Sequence, residues 1–170
     1  MIIDIPREAD YEKTALDLLN LAWESVLKLA VELDEAKDYG NDVAEDIYWN
    51  ACQSQLATAA SLVQQGFEFL LKGKIIAVSP YLLINGTPRD WPKGCTKADT
   101  PFAKFYSIDA QDLVRVHDTV ANNRLPENIV TLFEDMRTLR NSIMHTVDSR
   151  LKVEVKQVVC AILELSLIHI

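Results

Sequence analysis

Residues 140 to 145 read Arg-Asn-Ser-Ile-Met-His, which places a fixed cation, an amide, a hydroxyl and a titratable imidazole within one short stretch. That set suits chemistry at a phosphodiester. RNA can be cut without a metal ion when a general base removes the 2'-OH proton, an acid protonates the departing 5'-oxygen, and a cation stabilises the charged phosphorane. Imidazole titrates near neutral pH and serves as either acid or base, while guanidinium offers a planar fork of donors matched to phosphate oxygens. His145 and Arg140 are therefore the candidate catalytic pair. The other two histidines read as local features: His117 lies beside Asp118 in a helical stretch, and His169 is the penultimate residue.

The two groups must be brought together by the fold. At about 100° per residue, Arg140 and His145 point roughly 140° apart on a helix, whereas Asn141 and His145, four apart, line up. Arg140 joins them only through a break in the helix or across an interface between two copies, so a homodimer is expected. The competing reading is structural: Arg140 pairs with a carboxylate inside the bundle, and His145 ends a helix where a cation meets the negative end of the dipole.

The elements that position this stretch are helical. Apolar residues repeat every three or four positions, only five glycines are present, and sustained two-residue alternation is absent, so the class is all-α. The spacing predicts a first helix from after Pro6 to near Gly40, with Ala15, Leu18, Leu19, Ala22, Trp23, Val26, Ala30 and Leu33 as its buried stripe. A second helix, capped by Asn41 or Asp42, runs to about Val78. Pro80, Pro88, Pro92 and Pro101, with turn signals at Asn85-Gly86 and Lys93-Gly94, make residues 79 to 107 a long loop. A short helix capped by Ser107 or Asp109 follows. Pro126 opens the next, with Ile129, Val130, Phe133, Met136, Ile143 and Met144 facing inward, and a break near Asp148 to Arg150 precedes a last amphipathic helix. About five helices form a single-domain bundle over residues 1–170.

Composition agrees with a folded chain. With 170 residues, 49% hydrophobic and 25% charged, one domain with a sizeable core is expected and disorder is excluded. No apolar run is long enough to span a membrane and no signal-peptide pattern opens the chain, so a cytoplasmic protein is expected. Cys52, Cys95 and Cys160 are too few and too far apart for a disulfide framework or a zinc site, and no cofactor motif is present.

The net charge of -8 hides an asymmetry. Residues 1–71 carry 4 basic against 14 acidic side chains and residues 106–170 carry 7 against 9, but residues 72–105 carry 6 against 2. Arg89, Lys93, Lys97 and Lys104, interleaved with Trp91 and Tyr106, combine phosphate contacts with stacking surfaces for single-stranded RNA. In the competing reading the aromatic residues plug the loop onto the bundle and the lysines stay hydrated.

The stretch RNSIMH resembles the hallmark of the HEPN superfamily, small all-helical domains marked by Arg, four to six residues, then His, often with Asn directly after the Arg. Phe67-Glu68-Phe69-Leu70-Leu71-Lys72 is similar to an earlier helix of such domains, and the likeness spans roughly residues 44 to 165. Many members are metal-independent endoribonucleases that dimerise so that two motifs form one cleft, and many act as toxins or anti-phage effectors. The resemblance implies that His145 is the acid-base or 2'-OH-activating residue and Arg140 the phosphate and transition-state contact. Asn141 positions them, Ser142 is a supporting neighbour, Glu68 orients Arg140 from the earlier helix, and Lys72 is a further supporting residue there. A Glu68–Lys72 pair on a solvated face is the plainer alternative.

One position departs from the pattern. A common extension places a tyrosine two residues after the His, the target of silencing by AMP transfer, where this chain has Val147. The resemblance also allows a non-catalytic interaction module, such as the regulatory partner of a nucleotidyltransferase or an antitoxin- or defence-linked component. Nucleotide binding at the Arg-His cleft is a third reading, without a phosphate loop to support it.

Overall fold

The computed structural model describes residues 1–39, 44–145 and 151–168, and these residues form an all-α protein. Six α-helices are present: α1 (Glu8–Asp38), α2 (Glu45–Ala51), α3 (Gln53–Val78), α4 (Ala110–Val120), α5 (Glu127–His145) and α6 (Val155–Ile168). The expected stop at Gly40, the caps Asn41 and Asp42, the break at Asp148 to Arg150, and the positions Val147 and His169 all lie outside the described residues. The chain divides into two compact units, residues 1–15 with 68–127 and residues 16–67 with 128–170, and α1 and α3 each continue from one unit into the other.

In the first unit, the start of α1 meets the end of α3 at Gly73. A methyl group there would lie 3.3 Å from Tyr11 Cβ, closer than ordinary contact, so the missing side chain permits the approach. Lys74 Nζ then donates to Glu8 and Glu12 at 2.9 and 3.0 Å, and Tyr11 packs on Phe69 with ring centroids 5.9 Å apart. Residues 79 to 107 are more ordered than a plain loop. They hold two 3-10 turns, Pro80–Leu83 and Phe102–Lys104, and a two-residue strand β2 (Thr100–Pro101) that pairs in parallel with β1 (Ile2–Ile3). The turn signals act where expected, since Gly86 and Gly94 take φ of +82° and +87°, a region that glycine enters without a Cβ penalty. Leu83, Phe102 and Phe105 of the segment are buried, as is Leu113 of α4.

The second unit is the larger core. Leu19, Val26, Leu29 and Leu33 of α1, Leu56, Val63 and Phe67 of α3, Phe133 and Met136 of α5, and Val158 and Leu165 of α6 are all buried. Phe67 and Phe133 meet edge to face at 5.0 Å, a geometry favoured by the ring quadrupole. Two expectations about α1 need correction, because Trp23 and Ala30 are exposed while Leu29, outside the predicted stripe, is buried. Met144 of α5 is also exposed, and Leu139 takes its place in the core.

The predicted second helix is two helices, which raises the count from about five to six. Cys52 leaves helical geometry at φ -89°, ψ 8°, and the Gln53 side chain supplies the reason. Its Nε2 donates to the Trp49 carbonyl at 3.0 Å, the acceptor that the Gln53 backbone N–H would use in an unbroken helix. The same amide clamps Val153, accepting from its N–H at 2.8 Å and donating to its carbonyl at 3.2 Å. No helix among the described residues is long and apolar enough to cross a membrane.

Candidate functional site

The last turns of α5 carry the motif. Pro126 precedes the helix, Glu127 places a negative charge in the first turn, and Ile129, Phe133, Met136 and Leu139 bury one stripe, so the other sides of the helix stay accessible. Helix α5 is continuous from Glu127 to His145, and a break between Arg140 and His145 is therefore ruled out as the way to join them. Asn141 and His145 share a face at four-residue spacing. Arg140 reaches that face through its length, donating from Nη1 to Asn141 Oδ1 at 3.2 Å.

Exposure grades along the motif: Arg140, Asn141 and Ser142 are half-buried, and His145 is exposed at the helix end. Among the described residues no carboxylate pairs with Arg140. The neighbouring Arg137, by contrast, is held by Glu134 through bonds of 3.0 and 2.6 Å. Among the described residues the Arg140 guanidinium thus has Asn141 as a hydrogen-bond partner and no carboxylate, and the exposed His145 ring follows Asn141 by four residues along the helix.

Glu68 and Lys72 lie on the part of α3 that belongs to the first unit, where they form an i,i+4 pair at 3.9 Å. Lys72 is only 13% exposed and also sits 5.8 Å from the Phe69 ring.

The basic segment belongs to the first unit as well. Arg89, Lys93, Lys97 and Lys104 are exposed, and among the described residues none has an ion-pair partner. The nearby acids are engaged elsewhere. Asp90 accepts from the Thr87 amide and hydroxyl at 2.8 and 2.9 Å, which hold its carboxyl below the usual range, and Asp99 accepts from the Met1 amine at 2.9 Å. Trp91 turns inward, with its Nε1 buried and its ring edge-on to Phe105 at 5.7 Å, whereas Tyr106 is 78% exposed.

Comparison with protein-family models, curated proteins and solved structures gave no match to the chain. The site is thus defined by its own geometry. Among the described residues no cluster of three or more His, Cys, Asp or Glu side chains is placed to hold a metal ion.

One concave feature was not legible in the sequence. A pocket of about 350 Å³ lies in the second unit between α2 and the approach to α6, with Trp49 and Lys152 among its lining residues. Its two walls are about a hundred positions apart in the chain, and no local spacing marks them.

Proposed function

We propose that the protein is a metal-independent endoribonuclease of the HEPN type, working as a homodimer in which Arg140, Asn141 and His145 of two copies line one cleft. The observation that supports this most is the bond from Arg140 to Asn141 on the face that carries His145, with no carboxylate among the described residues neutralising the guanidinium. A purely structural arginine in a helical bundle is ordinarily paired, as Arg137 is. In the proposed reaction a His145 imidazole takes the 2'-OH proton and the freed oxygen attacks the adjacent phosphorus. Arg140 stabilises the added charge, and the second copy's imidazole protonates the departing 5'-oxygen. The products are a 2',3'-cyclic phosphate and a 5'-hydroxyl.

The test is incubation of the protein with total cellular RNA in excess EDTA, followed by mapping of the ends. Wild type is expected to leave cyclic phosphates. His145→Ala and Arg140→Ala are each expected to slow cutting by at least ~10²-fold, the usual worth of one acid-base group, with unfolding midpoints unchanged because both side chains lie outside the core. Equal cutting by the variants, or cutting only with added metal, would overturn the reading.

A further inference from the structure

The pocket beside α2 is separate from the motif on α5 and has a lining of unusual balance. Trp49 supplies an indole wall, Asn50 an amide, Lys152 and Lys156 two cations, and Asp46 and Glu154 two carboxylates. None of these four charged groups is paired with another described residue, although all face the same space. The walls are held firmly. Trp49 packs against Tyr48 with centroids 5.2 Å apart at 77°, the Tyr48 hydroxyl donates to the Leu29 carbonyl at 2.8 Å, and Gln53 clamps Val153 at both its N–H and its carbonyl. At about 350 Å³ the pocket falls within the range, roughly 300 to 1,000 Å³, that small ligands occupy.

Four unpaired charges that sum to zero do not favour a bare polyanion, and the indole favours a planar ring. A ligand that satisfies everything has a flat face, an edge of N–H donors and one anionic group. We infer that this pocket binds a single nucleotide, its base stacked on Trp49, the base edge donating to Asp46 or Glu154, and its phosphate held by Lys152 and Lys156. Stacking on an aromatic side chain is worth ~1–3 kcal/mol per base, so loss of the ring is expected to weaken binding by roughly 5- to 150-fold. Since Lys152 follows His145 by seven residues, at most about 25 Å of extended chain, a strand engaged at the motif reaches the pocket, which then acts as its base-selecting subsite. That last step rests on the ribonuclease reading, whereas nucleotide binding does not.

Calorimetric titration of the whole protein with GMP, UMP, guanosine and inorganic phosphate tests the assignment. GMP, whose base edge presents adjacent N–H donors, is expected to bind more tightly than UMP, and both guanosine and phosphate at least tenfold more weakly than GMP. Trp49→Ala and the double change Lys152→Ala/Lys156→Ala are each expected to weaken GMP binding at least fivefold, with Trp49→Phe retaining it as a check that the fold is kept. Absence of GMP binding at millimolar concentration overturns the inference, as does binding that Trp49→Ala and the double lysine change both leave unchanged. GMP binding by a protein that cuts no RNA keeps the pocket and removes the ribonuclease. Cutting without GMP binding does the reverse.

Discussion

Gln64 is the residue in α3 whose environment least fits its type. It is 1% exposed, and neither Nε2 nor Oε1 has a hydrogen-bond partner among the described residues. Each buried polar group left unsatisfied costs about 1–3 kcal/mol, whereas an apolar side chain of the same shape has nothing to desolvate. Gln64→Met keeps the length of the side chain and is expected to raise stability by about 1–3 kcal/mol, read from urea unfolding. A loss of stability would show that the amide is hydrogen-bonded in solution and sink the prediction. Residue types alone leave such cases hidden. The sequence marks Arg140, Asn141 and His145 by their chemistry and their angular relation by helix geometry, but the bond from Arg140 to Asn141 is a rotamer choice. Trp91 illustrates the same limit, since an aromatic in a basic loop reads equally as stacking platform or as plug, and only its contact with Phe105 decides which way the ring turns.

Helices and their ends were legible wherever the signals are local. Pro126 and Asp109 precede the helices they were expected to open, although Asp109 makes no side-chain capping bond. The break at Cys52 was not legible, because its cause, the Gln53 clamp, involves a partner a hundred residues away. At the end of α4 a similar device is testable. The Asp118 carboxylate lies 2.9 Å from His117 Nδ1 and accepts the Leu125 N–H at 3.0 Å, tying the following turn back to the helix. Burial pushes this carboxyl up, but the Leu125 amide, His117 and Arg124 outweigh it, so its pKa lies below the ordinary value. A carboxyl depressed on folding adds stability that is complete above its unfolded pKa, about 4, and is lost as the pH falls through the lower folded value. Asp118→Asn is accordingly expected to lower the thermal midpoint at pH 7 and to leave a shallower loss between pH 5 and pH 2 than wild type shows. Parallel acid limbs for the two proteins would remove Asp118 from the account.

At the scale of the whole molecule the sequence already displays a segregation of charge, basic over residues 72–105 and acidic on both sides, and the structure adds what each charge in the basic segment is doing. Lys72 and Lys74 are engaged with glutamates, while Arg89, Lys93, Lys97 and Lys104 are exposed with no ion-pair partner among the described residues. Small local structure, two 3-10 turns and a strand pair, fixes the backbone that carries them, which the prolines and glycines alone did not predict. A chain of net charge -8 gains little from long-range attraction to RNA, so on the proposed ribonuclease reading affinity has to come from cations that contact phosphates directly. Each such contact to a single strand contributes about 0.7 to the slope of log affinity against log salt. Replacing Arg89, Lys93, Lys97 and Lys104 together by glutamine is therefore expected to flatten that slope by about 3 if all four touch the strand, and to weaken binding most at low salt. Filter binding of single-stranded RNA to the His145→Ala protein, which on the proposed ribonuclease reading holds the strand without cutting it, reads both quantities with and without the loop changes. An unchanged slope would mean that these side chains are hydrated surface and that the strand is held by other cations, Arg140 first among them.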